Sequence, residues 1–190
     1  MSAGEYLLAL LAIITGLAIT DMATSLHGLL VNRRFIRWDW LALAAAALVL
    51  VVIANSWGVS YRAFNAETID HPLWYFLLAL ASIIPLYLAA RAALPDEIEP
   101  GQDLDLAAHY ASNSRYFWAA IALATLLYLV QVSIDHGVEW TMRECWPTLL
   151  YLVAMVPLIV WQARSLHRVL LPALGILLCA TALPSRMLGP

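Results

Sequence analysis

Apolar runs long enough to cross a bilayer recur along nearly the whole chain, over roughly residues 5–31, 38–61, 71–93, 116–134, 146–161 and 169–183. A hydrocarbon core about 30 Å thick takes about 20 apolar residues in a helix, and within it every backbone N–H and C=O has to be satisfied inside the chain. Six such runs, separated by short charged connections, specify an all-α polytopic membrane protein of six transmembrane helices. Composition agrees, since 63% of the 190 residues are hydrophobic and 12% are charged. That length holds one bundle over residues 1–190 and leaves no room for a soluble domain of ordinary size. The first run lacks the basic lead of a signal peptide and outlasts a signal's apolar core, so it reads as retained.

Every basic side chain apart from histidine is arginine. Without lysine no retinal Schiff base can form, and with no basic patch outside the spans nucleic acid is not expected as a partner. Arg33, Arg34, Arg37, Arg91, Arg115, Arg164 and Arg168 lie at alternate connections, against Arg62, Arg143 and Arg186 on the other side. The positive-inside rule then predicts a multi-pass protein of the inner (plasma) membrane with both termini on the non-cytoplasmic side.

The first run is polar along one stripe. At about 100° per residue, Gly16, Thr20, Asp21, Thr24, Ser25, His27 and Gly28 share one half of the helix, which predicts that this half faces protein. Ala18, Ile19, Met22, Ala23, Leu26, Leu29 and Leu30 share the other and are expected to face lipid. A carboxylate inside a span is costly unless water or a partner meets it, which makes Asp21 either a functional group or an interfacial one. Arg91, on the third span at similar depth, is its candidate ion-pair partner, or else it snorkels to the headgroups.

These residues suggest a polar path. Asp21, Thr20, Thr24 and His27 lie toward the arginine-rich side, with Asn55, Gln131, Asp135 and His136 toward the other. Carboxylates and imidazoles relay protons, and hydroxyls or amides replace part of a hydration shell. A small channel or transporter for protons, small cations or a small solute follows if these faces converge. The alternative is a non-catalytic membrane subunit or a haem- or cofactor-binding protein, because interhelical hydrogen bonding accounts for the same residues. His27, His109 and His167 on one side and His71 and His136 on the other could supply haem axial ligands. No motif places any two of them, so no cofactor is predicted.

An enzyme is not expected: a nucleophile signature, a His-Glu-x-x-His helix and a glycine-rich phosphate loop are all missing. The acidic stretch that opens residues 94–115 reads as a solvated loop, with Asp103 to Tyr110 able to begin an amphipathic lead into the fourth span, and no metal site is predicted. Cys145 and Cys179 form no Cys-x-x-Cys motif and leave a disulfide open. Pro85 should kink the third span, since it offers no N–H to the Ala81 carbonyl.

Sliding the fourth span over the first pairs Tyr6 with Tyr116, Ala9 with Ala119, Ala12 with Ala122, Thr15 with Thr125, Leu17 with Leu127 and Asp21 with Gln131. That register would make a three-plus-three inverted repeat, the design of many transporters. Alanine and leucine make such matches cheap, and a likeness between the surroundings of Pro85 and Pro157 competes with it. The expected partners are the lipid bilayer, a small ion or solute, and further copies of the chain in a homo-oligomer of unspecified number.

Overall fold

The computed structural model describes residues 3–65, 72–96 and 103–182. They form α1 (Ala3–Val31), β1 (Ile36–Arg37), α2 (Trp40–Asn65), α3 (Leu73–Ala93), β2 (Leu104–Asp105), α4 (Leu106–His136), α5 (Val138–Glu144), α6 (Trp146–Val160) and α7 (Arg164–Ala182). The helices α1, α2, α3, α4 and α7 are each long and apolar enough to span a membrane. α6 is not, because 15 residues make about 22 Å of helix. It passes only together with α5, from which it is bent by 79° at Cys145. The chain is an all-α polytopic membrane protein, with five helices among the described residues long and apolar enough to span, or six when the bent pair counts as one.

α3 sits at the centre, packed on α4, α1 and α2, and α4 also carries α5 and α6. Small side chains let these helices approach closely: Ala79, Ala89, Ala90 and Ala93 of α3 and Ala42, Ala45 and Ala46 of α2 are all buried. They belong to one core with Phe117, Trp118 and Ile121 of α4. α7 closes the far side against α2 and α6.

Three connections with arginines in them or in the adjoining helix turns meet at one end of the bundle. β1 and β2 pair in parallel, Ile36 opposite Leu104 and Arg37 opposite Asp105, joining the α1–α2 and α3–α4 connections. Asp39 ties in the third. It caps α2 by accepting from the backbone N–H groups of Leu41 and Ala42 at 3.1 and 3.2 Å, and it pairs with Arg164 at the start of α7.

Several boundaries depart from the sequence reading. α4 begins ten residues before Tyr116, because Asp105 caps it by accepting from Ala107 and Ala108 N–H at 2.8 and 3.2 Å. The connection expected around Glu139 and Glu144 is largely helix α5. The tight turn expected at Arg164 to Arg168 is the first turn of α7. Pro85, the expected kink, lies inside α3, which runs from Leu73 to Ala93 within the span the sequence reading gives it. The two halves differ, the first having continuous helices and the second a bent pair.

The face expected of α1 is rotated. Leu7, Leu11, Thr15, Ala18, Met22, Ser25 and Leu29 form the buried stripe, so Ala18, Met22 and Leu29 pack inward. Thr20, Thr24 and His27 are exposed. Thr20 needs no protein partner on a neighbouring helix, since its hydroxyl donates to the Gly16 carbonyl at 2.8 Å.

Candidate functional site

At the end of the bundle opposite the arginines, α2, α3, α4, α6 and α7 part to leave an open cavity of about 590 Å³. Each wall follows from helical spacing. On α4, Thr125, Tyr128, Gln131 and Asp135 recur at three- and four-residue steps and so share one face. On α2, Val52, Ser56 and Ser60 recur at four-residue steps with Asn55 and Val59 beside them, and Thr148 and Tyr151 are three apart on α6. α3 contributes Tyr75 and Ser82, and α7 contributes Thr181.

The lining of α4 runs from Ala124 to His136, about 18 Å of helix, more than half of a hydrocarbon core. Deeper along the same helices the bundle closes on buried Phe117, Trp118, Ile121, Ala89, Ala90 and Val49. The space is therefore a vestibule with a packed apolar floor. The bend between α5 and α6 lies in its wall, where Cys145, Pro147 and Thr148 are lining residues. Pro147 has no N–H for the Arg143 carbonyl, which favours the break at that point.

Charge gathers at the mouth. Asp135 accepts a hydrogen bond from the Tyr75 hydroxyl at 2.5 Å, and Tyr75 is itself only 3% exposed. Beside it the His136 ring lies over Trp140, with centroids 4.4 Å apart. Glu144 is exposed and has Arg143 at 3.7 Å. Inside, the polar groups are neutral. Ser82 and Thr125 donate to the carbonyls of Ala79 and Ile121 in their own helices, at 2.7 and 2.9 Å. Tyr151 is buried in the wall, and its hydroxyl has no hydrogen-bond partner among the described residues.

The structure thus brings together Asn55, Gln131, Asp135 and His136. It does not bring Asp21, Thr20, Thr24 or His27 to the same cavity, whose lining includes none of them. Asp21 instead accepts from the Tyr87 hydroxyl at 2.9 Å and has Arg91 at 3.9 Å. Arg91 is engaged more closely by Asp96, to which its Nη2 and Nε donate at 2.6 and 3.2 Å.

The histidines are scattered. His71 lies outside the described residues, and His27 is exposed. His167 is buried with both ring nitrogens engaged, by the Tyr110 hydroxyl at 2.8 Å and the Trp161 carbonyl at 3.1 Å. His109 packs against Asn113 on its own helix. Cys145 and Cys179 are free thiols.

Tyr75, Tyr128, Trp140, Thr148 and Tyr151 are lining residues that the sequence reading passed over. Interfacial aromatics look alike whether they anchor a helix or wall a cavity. The one usable signal was on α4, where a polar face continues from Gln131 back to Tyr128 and Thr125.

Fold and site together define a small polytopic α-helical membrane protein with a vestibule of mixed polar and apolar lining, open at one end of its bundle. No family model, no curated protein and no solved structure matches the chain.

Proposed function

We propose that the protein is a small-solute transporter whose substrate enters the vestibule between α2, α3, α4, α6 and α7. The observation that carries this reading is a cavity with polar side chains set in an apolar lining, beside the bend between α5 and α6. A volume of about 590 Å³ suits a small-molecule site, and discontinuous helices around a cavity near the membrane midplane are the usual construction of carriers. The packed floor favours a carrier that alternates over an open channel. On the positive-inside rule the vestibule faces the non-cytoplasmic side.

The test is flux into proteoliposomes of purified protein, with sodium, protons, choline and glycerol offered in turn. Cys145, in the cavity wall, provides the control. The expected result is uptake of at least one solute that stops when a bulky thiol reagent modifies the protein and persists when Cys145→Ser protein is treated the same way. Absence of protein-dependent flux under gradients of either sign would overturn the transport reading and favour a non-catalytic subunit.

A further inference from the structure

Resting on that transport reading, we propose that the solute is a small organic cation, an amine or quaternary ammonium compound, with Asp135 as its counter-charge. The Tyr75 hydroxyl is the hydrogen-bond donor to this carboxylate, and among the described residues no arginine or histidine forms an ion pair with it. Tyr75 is buried, so it fixes the direction of Asp135 and leaves its charge to be matched from the cavity. Among the described residues the lining contains no arginine; its ionisable side chains other than Asp135 are Glu144, His136, Cys145 and the tyrosines. Glu144 is faced by Arg143, so the uncompensated charge at the rim is that of Asp135, which draws cations in and turns anions away.

The remaining lining separates an organic cation from a bare ion or a neutral solute. Among the described residues no three His, Cys, Asp or Glu side chains gather as metal ligands would, and the cavity is far larger than an ion. Tyr128 and Trp140, the latter beneath the His136 ring, stand in the wall with Asp135, and aromatic side chains in a site with a carboxylate are the usual recognition of alkylammonium groups. Deeper in, the amides of Asn55 and Gln131 are placed for a polar tail. A neutral solute would leave the Asp135 charge unmatched. The buried hydroxyl of Tyr151, without a partner among the described residues, is a further hydrogen-bonding group in the same wall.

Three probes of one shape and different charge make the test: choline, its neutral carbon isostere dimethylbutanol, and anionic dimethylbutyrate. Equilibrium dialysis against the full chain in nanodiscs measures binding of each. Choline is expected to bind saturably and about tenfold or more tighter than dimethylbutanol, with no saturable binding of dimethylbutyrate. Asp135→Asn should remove that preference while leaving dimethylbutanol unchanged. Should that variant fail to fold, Glu144→Gln should reduce the preference in part.

Equal binding of choline and dimethylbutanol, binding of the anion, or no binding of choline each overturns the cation assignment. The transport reading stands or falls separately on flux. Glycerol uptake without choline binding would keep the carrier and discard the cation. Choline binding without flux of any solute would keep the site and discard the carrier.

Discussion

The Tyr110 hydroxyl accepts from the Trp118 indole N–H at 3.0 Å and meets His167 Nδ1 at 2.8 Å. Because the Trp161 carbonyl can only accept, His167 carries its proton on Nε2, which makes Nδ1 the acceptor and Tyr110 the donor. Every group in this buried chain is then satisfied once. Tyr110→Phe strands both the indole N–H and Nδ1, and should lower stability by about 2 kcal/mol, measured by thermal unfolding in detergent. Asp39 is a second such residue, a buried carboxylate that caps α2 and pairs with Arg164, which is half exposed. Asp39→Ala loses both roles and should cost about 2 kcal/mol, whereas Asp39→Asn keeps an acceptor for the cap and should cost about half of that. Equal losses for the two variants would assign the whole effect to the ion pair. Thr15 is the opposite case: its buried hydroxyl has no partner among the described residues. Thr15→Val should leave stability unchanged or raise it by about 1 kcal/mol in the same assay, since it removes an unsatisfied group at constant shape.

Among the elements, the α4–α5 junction is the most constrained. Gly137 has φ +88° and ψ 156°, a region closed to residues with a side chain. A Cβ added there meets nothing within 4 Å, so Gly137→Ala acts through backbone strain alone and should cost about 1–3 kcal/mol, again read from thermal unfolding. No loss at all, as is expected of Gly16→Ala at an exposed helix-interior position, would show that the junction adapts freely. Legibility in the sequence follows the same physics. Spans were legible because a long apolar run has few alternatives in water or lipid, and Gly137 was visible as the end of the fourth. α5 was not, because seven mixed residues carry no periodicity that separates a short helix from a loop. The start of α4 was only half visible, since His109, Ser112 and Asn113 argue for a loop unless Asp105 is recognised as a cap. The face of α1 was misread because polarity was equated with burial, although a threonine bonded to its own helix can face outward at little cost. Asn55, Gln131, Asp135 and His136 could be grouped by depth alone. Tyr75 and Tyr151 could not, because their contribution depends on which helices meet.

At the scale of the whole molecule, the arginine connections and the vestibule mouth occupy opposite ends, which makes the two membrane faces distinguishable by a single native thiol. Cys145 lines the cavity and is half-buried, within reach of water from the open end. Cys179 is exposed near the vestibule end of α7 and is not among the cavity-lining residues, so Cys179→Ser protein isolates the Cys145 signal. A membrane-impermeant thiol reagent should therefore label Cys145 rapidly from the vestibule side of oriented vesicles and much more slowly from the arginine side, because the packed layer around Phe117 and Trp118 stands between. Mass spectrometry of the labelled peptides reads the site. Arg34→Cys, introduced into protein whose own cysteines are serine, should label from the opposite face and fix the orientation. Equal labelling of Cys145 from both faces, without solute, would mean that the floor is not a barrier, and the protein would then be a continuous pore. Labelling from the arginine side that appears only when transported solute is supplied would be the signature of alternation, since a carrier has to exchange one closed end for the other.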